Sequence, residues 1–455
     1  MVAAGLPRLV IAAPASGHGK TTIATGLMAA LAGRGLTVSG HKVGPDFIDP
    51  GYHALATGRP GRNLDPFLVG EDRIVALLLH GAKSADIAVI EGVMGLFDGR
   101  LGTAGEASTA HVAALTASPV LLVVDISHAS RTHAAVVAGL AAFDPSVRIA
   151  GVILNKAGSA RHADEVRDAL AQTDIPVLGV LPRDDGVETP SRHLGLVPAA
   201  ERVESAATLV RMADVIAAHV DLDAVLHLAG DAGPLPGTAW DATKEIQAPT
   251  SARPVIAMAG GRAFTFRYAE TEELLRAAGC EVVEFDPLVD PALPPRTAGM
   301  YLGGGFPEVH AAELAENRCL IAELRAAVTA GIPTVAECAG LLYLCRTLDG
   351  TPMVGAVPID AAMTSRLTLG YRTVTSRADS LLTEAGDQVT GHEFHRTSVT
   401  PTDGRAAWHL PSGPEGFATP TLHASYLHTH WAGHPALAQR FARAVHRHAT
   451  RAPRG

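Results

Sequence analysis

Cys338 stands in "IPTVAECAGLLYL" (332–344), where one apolar run meets another and Ala336, Ala339 and Gly340 surround the thiol. That pattern suits a sharp strand-to-helix turn. A nucleophile on such a turn lies near the N–H groups of a helix start, an environment expected to lower a thiol pKa. Upstream, "YLGGGFPE" (301–308) supplies Gly304 and Gly305 as backbone donors for an oxyanion. A base is also required, and "ASYLHTHWAGHP" (424–435) offers His428, His430 and His434. His428 and His430 alternate along an expected strand and would share a face. Attack on an acyl carbon is the chemistry these groups could perform. A thiol in apolar company also reads as a small core residue, and the residues alone leave both readings open.

A second set lies more than 300 residues earlier. In "APASGHGKTT" (13–22), Ser16, Gly17 and Gly19 form a loop whose N–H groups can face phosphate. Lys20 adds a point charge, Thr21 a hydroxyl for Mg²⁺, and Thr22 opens the helix beside it. The usual first glycine of this pattern is Pro14 here. Mg²⁺ needs further oxygen ligands. "HKVGPDFIDPGYH" (41–53) carries Asp46 and Asp49, and "VIEGVMGLFDG" (89–99) carries Glu91 and Asp98. Thr21, Asp46 and Glu91 are the expected metal ligands, with Asp49 and Asp98 facing substrate; turn-capping is the plainer reading of each acid. Asn155, ending "GVILN", reads either as an adenine contact or as a strand-end cap.

These residues need a scaffold that brings distant loops to one rim. The segments 8–14, 36–43, 86–92, 119–125, 148–155 and 175–182 are short runs rich in Val, Ile and Leu without polar alternation, as strands buried on both faces should be. Ala-rich helical stretches separate them. The result is an α/β, doubly wound parallel sheet, in which the C-terminal ends of the strands share one rim. Residues 230–254 are rich in Gly, Pro, Thr and Ser and break the rhythm. We divide the chain into a nucleotide-binding domain (1–230), a linker (231–253) and a second α/β domain (254–450). Thr- and Val-rich runs around 371–377 and 388–394 predict an antiparallel stretch, followed by a last strand over "LHASYLHTHW" and a helix.

The chain has 455 residues, 47% hydrophobic and 18% charged, which suits two globular domains. A net charge of −9 argues against nucleic acid as a partner. The four cysteines, at 280, 319, 338 and 345, form no CxxC pair and no disulfide framework, so a reducing cytoplasm is expected. No apolar run reaches membrane-spanning length, and the opening residues read as a strand rather than a signal peptide.

Taken in order, "GPDFIDPGYH", "EGVMGLFDG", "YLGGGFPE", "AECAGLLYL" and "ASYLHTHW" resemble the cobyrinate/hydrogenobyrinate a,c-diamide synthase family of cobalamin biosynthesis over nearly the whole chain. The resemblance implies a dethiobiotin-synthetase-like P-loop domain followed by a class I glutamine amidotransferase domain. It implies ATP and Mg²⁺ as cofactors, and glutamine and a corrinoid or hydrogenobyrinate-type tetrapyrrole as substrates. Cys338 then corresponds to the glutaminase nucleophile and His428 to its base, with His430 as runner-up. Position 430 is where related amidotransferases carry a Glu, so a Cys–His dyad is implied. Ala339 and Phe306 replace a frequent Gly and Tyr. "GHEFHRTS" (391–398) is expected to help bind the macrocycle. Cobyric acid synthase, nickel-sirohydrochlorin diamide synthase and a P-loop switch protein with an inactive second domain are the rival readings. Assembly is open, a homodimer being one option.

Overall fold

The computed structural model describes residues 5–183, 191–192, 195–196, 205–399 and 406–451. The chain divides into two compact units, Met1–Trp240 and Asp241–Gly455.

The first unit is built on a seven-stranded sheet of β1 (Arg8–Ala12), β2 (Val38–Val43), β3 (Arg62–Leu64), β4 (Ile87–Glu91), β5 (Val120–Asp125), β6 (Ile149–Ala157) and β7 (Val177–Pro182). Their spatial order is β3-β2-β4-β1-β5-β6-β7, and every neighbouring pair is parallel. Six of these strands fall on the expected segments. The seventh, β3, is only three residues long and carries no periodic signal. Strands β1, β2 and β4 are buried along their whole length. Leu9, Ile11, Val89, Leu121 and Ile153 pack with Ile23, Leu27 and Met28 of helix α1 (Lys20–Gly33). Each such side chain, fully buried, contributes about 1.5–3 kcal/mol. This core fixes α1 at the end of β1.

In the second unit the strands Glu281–Phe285, Val255–Ala259, Thr297–Leu302, Thr334–Glu337 and Leu422–Ser425 lie side by side in that order, all parallel. Phe417–Ala418 adds an antiparallel edge. Asp360–Thr375 and Gln388–Val399 form the expected antiparallel pair, and Pro435–Arg451 the final helix. The last parallel strand stops at Ser425, earlier than the sequence suggested. The half-buried Glu415 carboxylate accepts from the Ser425 hydroxyl and the Tyr426 N–H, both at 2.7 Å, and turns the chain out of the ladder.

The stretch expected as a linker is bound on both sides. The Gly233 carbonyl accepts from the buried Arg8 guanidinium at 2.8 Å and the Trp240 N–H donates to Ala76, while the Gln247 N–H donates to Gln439. Among the described residues no helix is long and apolar enough to cross a membrane.

Candidate functional site

Chemistry-bearing residues gather in one place in each unit. In the first, the loop between β1 and α1 bends at Gly17 and Gly19, with φ of 86° and 91°, a region that L side chains avoid. Ser16 is exposed in this loop, and Thr21 and Thr22 are half-buried in the first turn of α1. Lys20 is buried, its ammonium donating to the Ala15 carbonyl at 3.2 Å and to the Met94 carbonyl. Burial, then the nearby Lys42 charge, lowers its pKa to about 8.

The parallel register sets Lys42 of β2 beside Glu91 of β4. The Lys42 ammonium lies 2.9 Å from Glu91 and 2.6 Å from Asp49, the first residue of α2 (Asp49–Thr57). The Thr21 hydroxyl donates to Glu91 at 2.6 Å and reaches Asp49 at 3.3 Å; His53 Nε2 lies 2.6 Å from the other Glu91 oxygen. Burial acts against every charge here, and one ammonium shared by two carboxylates offsets it at Glu91 but not at Asp49. Lys42 is raised and stays charged. Lys42, His53 and Thr21 outweigh burial at Glu91 and hold it below the usual carboxylate range. Burial, with the Asp46 and Glu91 charges, pushes Asp49 up.

Thr21, Asp49 and Glu91 are therefore brought together. Asp46 turns to its own backbone instead, accepting from the N–H groups of Ile48 (2.7 Å) and Asp49 (3.1 Å). Asp98 is exposed and accepts from the Gly95 N–H at 3.0 Å. Asn155 is occupied by the loop: its amide donates to the His18 carbonyl at 2.9 Å, and a Cβ on Gly19 would meet its Nδ2 at 2.4 Å. Lys42 and His53 were absent from the sequence-derived site, as was the Lys156–Asp125 ion pair (3.0 Å), whose ammonium also reaches the Gly17 carbonyl. Among the described residues no group of three or more His, Cys, Asp or Glu is arranged to hold a metal unaided.

In the second unit Cys338 follows the strand Thr334–Glu337 and caps the six-residue helix Ala339–Leu344, with φ 48° and ψ −96°. The conformation is strained for a residue with a Cβ. It is held by a 2.7 Å bond from the Cys338 N–H to the Ser425 carbonyl. Gly340 passes so near Leu302 that a Cβ would lie 2.3 Å from its carbonyl oxygen. The thiol is buried, and burial together with the Glu308 charge pushes its pKa up, further than the Ala339 N–H bonded to it brings it down. Burial thus outweighs the lowering expected at the helix start, because a helix of six residues does not offset full desolvation.

Gly303 accepts from the Gly340 N–H, and Gly304 lies against His428. The Gly304 N–H, expected as an oxyanion donor, is spent on the Phe266 carbonyl at 3.0 Å. A Cβ on Gly305 would lie 2.1 Å from the Ala263 carbonyl oxygen, so only glycine fits there. His428 is fully buried, and burial, then His392 and His395, lowers its pKa to about 3. His430 faces elsewhere, stacked on Tyr268 (4.1 Å between centroids) and 3.7 Å from Glu270. His434 Nε2 accepts from the Thr390 N–H at 3.1 Å. "GHEFHRTS", expected at the macrocycle, runs beside the thiol: His392 and His428 exchange two backbone bonds of 2.9 Å, and the Glu393 charge acts on Cys338.

The family model described as a CobQ/CobB/MinD/ParA nucleotide binding domain matches residues 9–197. That of a CobB/CobQ-like glutamine amidotransferase domain matches residues 255–436. Hydrogenobyrinate a,c-diamide synthase of Thermobifida fusca (strain YX) is 62% identical, covering 97% of this chain and 98% of that protein. The protein of that name from Streptomyces coelicolor is 53% identical over 96% of this chain and 97% of its own. Cobyrinate a,c-diamide synthase of Synechococcus sp. is 44% identical over 96% and 98%.

Proposed function

We propose that this chain, which belongs to the hydrogenobyrinate and cobyrinate a,c-diamide synthase family, uses ATP and glutamine to amidate the a and c carboxylates of hydrogenobyrinate. The observation that carries the reading is 62% identity to a hydrogenobyrinate a,c-diamide synthase across both units. The metal-free macrocycle is favoured over the cobalt form because the relative named for the latter is 44% identical.

Glutamine is hydrolysed in the second unit. His428 takes the Cys338 proton as the sulfur attacks the carboxamide carbon, so that no free thiolate forms in the buried site. The Ala339 N–H beside the thiol, with that of Gly305, steadies the oxyanion. The proton passes to the leaving nitrogen, ammonia departs, and water then cleaves the thioester to release glutamate.

In the first unit ATP transfers its γ-phosphoryl to a macrocycle carboxylate. The N–H groups of the 16–19 loop and the Lys20 ammonium hold the phosphates. Asn155 keeps that loop in shape. The oxygens of Thr21, Glu91 and Asp49 suit a hard cation, and Mg²⁺ takes few protein ligands when phosphates complete its shell. Mg²⁺ supplies charge neutralisation of the phosphates. Asp46 and Asp98, at the same rim, are assigned to the acidic side of the substrate pocket. Ammonia displaces phosphate from the acyl phosphate to give the amide, and a second carboxylate follows. The reading places the enzyme in the cytoplasm, where its four free cysteines stay reduced.

The test is incubation of the purified chain with hydrogenobyrinate or cobyrinate, ATP, Mg²⁺ and glutamine, with products read by mass spectrometry. Conversion of two carboxylates to amides on hydrogenobyrinate is expected. Amidation of neither macrocycle would overturn the assignment, and preference for the cobalt form would overturn the choice between them.

A further inference from the structure

Glu337 immediately precedes the nucleophile, and Thr429 immediately follows the histidine assigned as its base. Glu337 is 4% exposed, yet its carboxylate is bonded at both oxygens. Tyr301 Oη donates to one and Thr429 Oγ1 to the other, each at 2.9 Å. Thr429 Oγ1 in turn accepts from Trp431 Nε1 at 3.0 Å, and the Tyr301 and Trp431 rings meet edge-on at 5.4 Å. One carboxylate thereby gathers three separate segments: the strand Thr297–Leu302, the strand Thr334–Glu337 and the stretch 428–431.

Burying a carboxylate is costly, and an apolar residue would pack the same sheet more cheaply. The place where it stands suggests what the cost secures. Glu337 and Ser425 are the last pair of the ladder that joins the nucleophile strand to the histidine segment. Beyond Ser425 the chain is turned away by Glu415, and His428 is paired by its backbone to His392 instead. The ladder thus ends before it reaches the histidine. The Glu337–Thr429 bond resumes the connection one residue from each reacting group.

We propose that Glu337 is a positioning residue for glutamine hydrolysis: through the Thr429 hydroxyl it ties the nucleophile turn to the histidine segment and holds His428 in register with Cys338. The proposal rests on the assignment of Cys338 and His428 as the reacting pair. All the donors around Glu337 call for an ionised acceptor. Burial pushes its carboxyl up to about 7 although Tyr301 and Thr429 act downward. The groups around it are Tyr301 on the neighbouring strand, Cys338 next in the chain, and Tyr268 and Arg267, whose charges reach Tyr301. Neutral His428 does not titrate in this range. The brace is therefore complete above about pH 7 and loosens as the pH falls through it.

The experiment compares Glu337→Gln, Thr429→Val and Thr429→Ser in the full-length enzyme. An amide at 337 accepts on one side only, valine removes the bridging hydroxyl, and serine keeps it. Glutaminase kcat is expected to fall roughly tenfold to a hundredfold in the first two with KM for glutamine nearly unchanged, and to survive in Thr429→Ser. Ammonium-driven amidation should persist in all three. The acid limb of the wild-type glutaminase profile near pH 7 should vanish in Glu337→Gln. Wild-type kcat in both Glu337→Gln and Thr429→Val would overturn the proposal. So would a rise in KM alone, or a Thr429→Ser enzyme as impaired as Thr429→Val. Retained glutaminase in Cys338→Ser would instead overturn the assignment beneath it, so the two failures are distinguishable.

Discussion

The His428 ring rests on the bare backbone of Gly304, where a Cβ would come within 2.3 Å of its Cε1 and 3.0 Å of the Phe266 Cβ. The glycine is thus a seat for the imidazole, and its own N–H is already given to Phe266.

Gly304→Ala should accordingly displace the ring. An ångström of misplacement at a reacting group costs about a hundredfold in rate. Glutamate release from glutamine should fall by that order, while amidation driven by ammonium salts continues. Full glutaminase activity in this variant would show that His428 is not the base.

Cys338→Ser separates the two chemistries. The variant should lose glutamine-dependent amidation and keep the ammonium-dependent reaction, both followed by mass spectrometry of the macrocycle. Loss of both would sink the two-site scheme.

Lys42→Met removes the ammonium that two buried carboxylates share. Breaking a buried pair on one side costs about 3–5 kcal/mol. Urea unfolding of the full chain should show the transition of the first unit moved to lower denaturant, with its unfolding free energy reduced by an amount in that range. An unshifted transition would mean that Glu91 and Asp49 do not depend on Lys42.

Lys20 titrates near pH 8 because it is buried, next to Lys42. Phosphate favours its charged form, so nucleotide binding takes up a proton once the pH exceeds that value. ATP affinity should decline as pH rises through about 8. Calorimetry in buffers of different ionisation enthalpy should detect the uptake, and Lys20→Met should abolish it. The same shift has a consequence for stability. The folded pKa lies below the unfolded one, so the unfolded chain holds the proton more tightly between about 8 and the ordinary lysine value of 10.5, and this group's contribution to stability rises with pH across that window.

Much of this arrangement was legible in the chain. Six apolar runs became six strands, and the glycines at 17 and 19 announced the loop, because these are local signals. Lys42 was hidden because nothing near it in sequence marks it: only the parallel register of β2 and β4 brings it to Glu91. The sequence points Asp46 to the metal and Asp49 to substrate, yet Asp46 turns to backbone N–H groups and Asp49 to Thr21 and Lys42, a choice made by the first turn of α2. The roles of Asn155 and Gly304 depended on which partner reached each group first. The thiol's pKa could not be read from its position on a turn, since desolvation is set by everything folded over it.

The burial of Cys338 also bears on durability in air. Oxidants attack thiolates that they can reach, and this sulfur is both covered and protonated. Cys319 is the exposed one, on the helix Arg318–Thr329, whereas Cys280 and Cys345 are buried and pushed up to about 12. Peroxide should therefore mark the outer helix at Cys319 first and leave Cys338 intact for longer.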